Sequence, residues 1–401
     1  MSTAWPAEER LRTLEWEALP VVRASVAGAL RAVLGGAEAS RALTGLLRQH
    51  PTWTRAERAS AAEALFGVAL WRRRLRVRCP EGSPDDLLEA LVRERTSHNF
   101  EQLPSHDWPT RLSYPDWLAD EFSTALGEEA EAFAAATNLP APITVRANTL
   151  RLSRDTLAER LRGEGIATRP TGYAPDGLVV EGRPNILGSP SHQAGLFEVQ
   201  DEGSQLVGMC LGVHPGDEVL DFCAGAGGKT LLLGAALQDV GRLDAFDVER
   251  AALQRLEHRA ARAGLGHSLR VLRDLPEDLL ASHVLVDAPC SALGTLRRGP
   301  DVRWRLDPAT VAGFPELQRE LLEKAALHTA RNGRLVYATC TIRPAENQAV
   351  VEGFLAAHSD FARERAPVPE GIRSPEGDLV TLPHRQGMDG FYAAVLCRSA
   401  A

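Results

Sequence analysis

Five short apolar runs in the second half of the chain alternate with stretches of helical period. The runs are Glu218 to Phe222, Arg242 to Phe246, Leu269 to Leu272, Val284 to Val286 and Arg334 to Ala338, and the helical stretches include Arg250 to Ala263 and Pro315 to Thr329. Strands that are apolar on both sides need helices over both faces, which is the pattern of a parallel sheet. From about Gly203 the chain is therefore expected to form a doubly wound, Rossmann-like α/β sheet. Parallel strands all end on one edge, so the residues that follow them can meet around one pocket. A last pair of runs, near Leu379 to Leu382 and Phe391 to Cys397, has Gly387 and Gly390 between them and reads as a closing antiparallel hairpin.

Three of these strand ends carry chemistry. After the first comes Cys223-Ala224-Gly225-Ala226-Gly227-Gly228-Lys229-Thr230, a tight turn opening a helix. Glycine belongs where backbone passes close to a ligand or takes a positive φ, and the helix start then offers free N–H groups to an anionic or polar ligand group. The turn lacks the four-residue gap of a P-loop, and Leu231 stands where a dinucleotide fingerprint needs its third glycine. A nucleoside cofactor without a pyrophosphate fits better, and S-adenosylmethionine is one. Asp247 ends the second strand, where a carboxylate accepts ribose hydroxyls, and Asp274 ends the third, within reach of an adenine edge. Lysine occurs only at 229 and 324, so a lysine inside the turn points to a specific demand.

The other two strand ends are Asp287-Ala288-Pro289-Cys290 and Ala338-Thr339-Cys340-Thr341, which place two thiols fifty residues apart in sequence. Methylation at carbon 5 of a pyrimidine is hard because that carbon is a poor nucleophile. A thiolate that adds to carbon 6 makes carbon 5 enamine-like, and elimination later restores the ring. An acid must meanwhile hold the ring at N3, and Asp287 is placed for that, with Pro289 stiffening the turn. Cysteines 79, 210 and 397 read as small buried hydrophobes, whereas the pair at 290 and 340 reads as functional. The residues alone do not rank the two.

At 401 residues the chain needs more than one domain. Residues 1–137 read as all helix, with Val22, Val26 and Leu30 at helical spacing and Thr54 to Glu57 as a capping box opening a fourth helix. Residues 138–202 read as a small α+β module, with strands at Ile143 to Arg146, Ile166 to Arg169, Gly177 to Val180 and Leu196 to Val199. Residues 203–401 form the third domain. A net charge of −8 argues against coating nucleic acid through the overall field. Local fields differ: arginines around Trp71 to Arg78 suit a solvated helix face and RNA contact equally, while Arg297, Arg298 and Arg303, just beyond Cys290, are expected to contact RNA. No run reaches the ~18 apolar residues of a membrane span, no signal peptide is evident, and none of the six cysteines forms a C-x-x-C pair. A cytoplasmic monomer without metal or membrane partner is expected.

With those motifs in view, the chain resembles the bacterial rRNA cytosine-C5 methyltransferases of the RsmB type, within the Nol1/Nop2/Sun group. The resemblance runs in order through Pro142 to Leu150, Val199 to Gln205, the turn at 223–230, Asp287 to Cys290 with Arg297 to Asp301 behind it, Thr339-Cys340 with Glu346-Asn347, and Asp389 to Phe391. It implies a NusB-like RNA-binding domain in front, a small RNA-binding module, and a methyltransferase domain. It further implies that Cys340 is the nucleophile, that Cys290 assists release of the methylated base, and that Asp287 binds the cytosine and lines the cofactor pocket. Residues Cys223 to Lys229, Asp247 and Asp274 would hold S-adenosylmethionine, with Asp278 as a rival to Asp274. Ala226, Ala292 and Thr341 stand where the family usually has proline, glycine and serine, changes expected to be tolerated. A tRNA methyltransferase and a non-catalytic RNA-binding assembly factor are the alternatives.

Overall fold

Helix-forming residues dominate the start of the chain, and the computed structural model, which describes residues 18–96 and 107–400, folds them as helices. The chain divides into two compact units. One holds the described residues up to Ala141 together with Thr295–Thr310, and the other holds Pro142–Gly294 with Val311–Ala401. The first therefore includes the arginine-rich segment behind Cys290, which the sequence pattern assigns to the sheet domain. Among the described residues no helix is long and apolar enough to cross a membrane.

In the helical unit, Val22, Val26, Leu30 and Val33 line one side of Leu19–Leu34 and pack on Leu65, Val68 and Leu75. The capping box is present: Thr54 accepts the Glu57 amide, and Glu57 accepts the Thr54 amide. It opens Arg55–Leu70, the third helix among the described residues and the one counted fourth from the sequence. Further on, Tyr114, Phe122 and Phe133 pack edge to face.

The second unit begins with a four-stranded antiparallel sheet in the order β2-β3-β1-β4. Its strands are β1 (Ile143–Ala147), β2 (Thr168–Pro170), β3 (Gly177–Val180) and β4 (Phe197–Val199), with one helix, Arg154–Gly163, over a core of Val145, Leu157, Leu161 and Phe197. The main sheet follows with β5 (Glu218–Asp221), β6 (Arg242–Phe246), β7 (Leu269–Leu272), β8 (Ala281–Asp287), β9 (Thr329–Thr339), β10 (Phe361–Glu364), β11 (Leu379–Thr381) and β12 (Phe391–Arg398). Its order is β10-β12-β9-β8-β5-β6-β7, with β11 paired to β12. Strands β5 to β9 are parallel, and β12 runs antiparallel to β9. Neighbouring residues point to opposite cores: Val219, Leu285 and Val336 to one side, Leu220, Val284 and Leu335 to the other. The doubly wound sheet is thus buried on both faces, as its unbroken apolar runs required.

Two expectations need correction. The final hairpin pairs as expected, but β12 also lies between β9 and β10 inside the sheet. Strand β10, Phe361-Ala362-Arg363-Glu364, is a short, charged edge strand with no periodic signal to reveal it. The last long helix runs Pro308–Leu327, and Thr329 already belongs to β9. Its start signal is Asp307, whose carboxylate accepts the amides of Ala309 and Thr310 ahead of Pro308 in the first turn. Pro315 lies inside the helix.

Candidate active site

Strand β5 pairs with both β6 and β8, so its carboxyl end lies where the crossovers diverge, the place where such sheets bind ligands. Four residues of the turn after it take part in hydrogen bonds. The Ala224 amide donates to the Phe246 carbonyl, the Gly225 amide to Asp247 Oδ2 at 2.8 Å, and the Gly227 amide to the Ala224 carbonyl. Arg259 donates to the Ala226 carbonyl at 2.6 Å. Gly225 and Gly227 have φ of +53° and +84°, the left-handed region that glycine enters without cost. A Cβ on Gly227 would strike Leu256 at 2.6 Å, while a Cβ on Gly225 would enter open space. Beneath the turn, Asp221 is fully buried: Oδ2 accepts the Thr230 hydroxyl at 2.7 Å and Oδ1 has no partner. Burial, aided by the nearby Asp287 and Asp247, pushes its carboxyl up to about 7. Burial and these acids also push the Cys223 thiol up, which disfavours its thiolate.

Asp287 ends β8 beside Ala338 of β9, so Asp287 and Cys340 leave the sheet from neighbouring strands. Lys229 donates to Asp287 Oδ2 at 2.5 Å, with the lysine buried and the carboxylate partly open, and its ammonium lies 5.3 Å from the Phe391 ring centroid. The two thiols meet: Cys290 Sγ and Cys340 Sγ are 3.3 Å apart, and the Cys340 amide points at Cys290 Sγ at 3.3 Å. The contact with Cys340, together with burial, pushes the Cys290 thiol well up, so Cys290 keeps its proton at neutral pH.

The clamp that holds the two cysteine loops together was missed by reasoning from sequence. Glu346 is fully buried, and its carboxylate accepts the Ser291 amide (2.9 Å), the Ser291 hydroxyl (2.6 Å), Gln318 Nε2 (2.9 Å) and Arg343 Nη1 (3.1 Å). Ser291 and Thr341, the residues that directly follow the two cysteines, join through their hydroxyls at 2.7 Å. The hydroxyl of Thr341 therefore does what a serine there could do. Ala292 has a φ of +56°, where a side chain costs free energy that glycine avoids. The available signal for Glu346 was its place, with Asn347, in the family-like motif that follows Cys340, from which no role was read; Gln318 gave none.

The remaining expected residues fall in several places. Asp247 closes β6, its oxygens accepting the amides of Gly225 and Glu249. Asp274 and Asp278 are both exposed beyond β7. Arg298 is exposed and Arg297 is buried in the helical unit. For Arg303 the expected RNA contact is overturned, since this side chain is 1% exposed, stacks on Tyr114 at 3.9 Å and donates to Asn138 Oδ1 at 2.8 Å. A guanidinium spent on the interior of its own unit is not offered to a ligand. Among the described residues no group of three or more acids, cysteines or histidines could hold a metal ion.

Residues 208–397 match the family described as 16S rRNA methyltransferase RsmB/F, and residues 114–187 match the ferredoxin-like domain of the RsmF/B-like methyltransferases. The probable ribosomal RNA small subunit methyltransferase B of Synechocystis sp. is 36% identical over 71% of this chain and 67% of its own length. The chain belongs to the RsmB/F methyltransferase family. Another relative, the ribosomal RNA small subunit methyltransferase B of Pseudomonas syringae pv. tomato, is 34% identical over 74% of this chain and 68% of its own. The crystal structure of a methyltransferase homolog from Pyrococcus horikoshii superposes with a TM-score of 0.65 at 26% identity, covering 74% of this chain and 100% of that one. The methyltransferase fold implies S-adenosylmethionine as donor, and the residues present fit it. Open space over Gly225, an unpartnered Asp221 oxygen, the first amides of Gly228–Ala236, and carboxylates closing β6 and following β7 suit a ligand with amino, carboxylate and ribose groups.

Proposed function

We propose that this chain transfers the methyl group of S-adenosylmethionine to carbon 5 of a cytosine in RNA, in particular 16S rRNA, through a covalent bond between Cys340 and the cytosine ring. The observation that carries the reading is the pair of thiols 3.3 Å apart at the ends of β8 and β9, on the sheet edge where Lys229 grips Asp287. The names of its relatives support rRNA as the substrate.

When bound, the donor supplies an electrophilic methyl group on a sulfonium sulfur, held by Cys223 to Lys229, Asp247, Asp274 and Asp287. Cys340 as thiolate adds to carbon 6 of the ring, and the electron density released makes carbon 5 nucleophilic. Asp287, fixed by Lys229 through one oxygen, uses the other to hold N3, sharing a proton with it as the ring becomes anionic. On elimination a base takes the proton from carbon 5, the electron pair of that bond restores the ring double bond, and the carbon–sulfur bond breaks with its charge returning to Cys340. Cys290, which keeps its proton and faces that sulfur, stabilises the departing thiolate. The N-terminal helical domain, the small α+β module and the exposed Arg298 would contact RNA, and the protein would act in the cytoplasm as a monomer.

With purified protein, unmodified small-subunit rRNA and S-adenosylmethionine, Cys340→Ala is expected to abolish turnover. Cys290→Ala is expected to accumulate a protein–RNA adduct that survives denaturing electrophoresis. An adduct formed by Cys340→Ala and absent from Cys290→Ala would reverse the assigned roles. If the unaltered protein neither binds S-adenosylmethionine nor methylates the RNA, the assembly-factor reading replaces this one. Bisulfite sequencing of RNA from cells lacking the gene identifies the position that loses its mark, and a tRNA position would overturn the choice of 16S rRNA.

A further inference from the structure

The helix Arg250–Ala263 touches the cofactor turn at two points one turn apart on the same face. Leu256 lies directly beneath Gly227, close enough that any side chain there would collide with it. Arg259 reaches the Ala226 carbonyl through Nη1 at 2.6 Å. The same guanidinium binds Glu198 Oε2 through Nη2 at 2.9 Å and Nε at 3.2 Å. Glu198 belongs to β4 of the small sheet, its side chain is 5% exposed, and its other oxygen accepts from Arg262. The carboxylate therefore aims Arg259, and Arg259 aims the turn.

We infer that Arg259, oriented by Glu198, is a positioning residue that holds the methyl-donor turn in its binding conformation. Ala226 gives the idea its physical basis. Flanked by two glycines in the left-handed region, it contributes no ring to restrict φ, and its amide makes no backbone hydrogen bond within the turn. A turn so built has many conformations to lose on binding a ligand. A charged donor on the central carbonyl removes them beforehand, and preorganisation of this kind appears as affinity. The inference rests on the reading of this turn as the S-adenosylmethionine site.

Isothermal titration of the full chain with S-adenosylmethionine, followed by steady-state kinetics on rRNA, tests it. Arg259→Met should weaken S-adenosylmethionine binding about ten- to hundredfold, the range of one lost charged hydrogen bond. It should raise KM for the donor equally, while kcat at saturating donor and KM for RNA stay within twofold of the original. Arg259→Lys should recover part of the loss, since one ammonium can reach the carbonyl or Glu198 but cannot grip both. Ala226→Pro added to Arg259→Met should recover affinity to within about threefold by restricting the turn covalently. If the unaltered protein binds no S-adenosylmethionine, the reading of the site falls and this inference with it. If it binds and Arg259→Met binds equally well, only this inference falls. Should Arg259→Met lose its circular dichroism signal, Glu198→Gln decides: a folded variant about threefold weaker for the donor supports the role, and an unchanged one refutes it.

Discussion

Asp221 has no solvent exposure, and its carboxyl titrates near 7 because burial disfavours the charged form. An unfolded aspartate titrates near 3.9, so between these values the folded protein binds the extra proton and loses stability as pH rises. The loss approaches ~1.4 kcal/mol per pH unit at mid-range and ends above pH 7. Asp221→Asn keeps an acceptor for Thr230 and removes this titration. Urea unfolding from pH 4 to pH 8 should therefore show the variant gaining on the parent as pH rises; a constant difference would contradict a neutral Asp221. Ala292 gives a second test at this scale. Ala292→Gly relieves a left-handed alanine at φ +56° and should raise stability by about 0.5–1 kcal/mol, read as a higher urea midpoint.

Among elements, the loop after β8 and the loop after β9 are joined by hydrogen bonds, and Glu346 holds both. Glu346→Gln turns an amide toward at least one donor and leaves Arg343 without its carboxylate. A cost of about 2–4 kcal/mol in stability is expected. Because the thiols are placed by these loops, kcat should fall at least ~10-fold while donor affinity holds. Calorimetry and single-turnover rates on one preparation separate the two effects. The strands and glycine turn that carry the site were legible because apolar runs and glycines have local causes. The clamp was not, because Ser291, Gln318 and Glu346 come from three separate segments and interact only after β8, β9 and Pro308–Leu327 have packed.

Over the whole molecule, the least foreseeable feature is that Thr295–Thr310 packs with the helical unit. Asp301 accepts the Ala39 amide, Trp304 Nε1 donates to the Ala69 carbonyl, and Arg303 lies on Tyr114. Arg303→Ala should cost about 2–4 kcal/mol through the cavity and the lost hydrogen bonds. It should also open the segment to trypsin at Arg297, Arg298 and Arg305 in the full chain. A variant of unchanged stability with weakened RNA binding would restore the RNA contact first expected of this residue.

What the sequence by itself determined is whatever depends on neighbours along the chain. Period set the helices and strands, glycine set the turn at 225–228, and strand direction set one edge for Cys290, Cys340 and Asp287. Tertiary structure alone decided which polar side chains serve the interior and which remain open to a ligand. Arg303 and Arg298 look alike in sequence, yet one is buried on a tyrosine and the other is exposed. The physical reason is that a buried charge is stabilised by partners contributed from distant segments, and only the folded chain brings them within hydrogen-bonding distance.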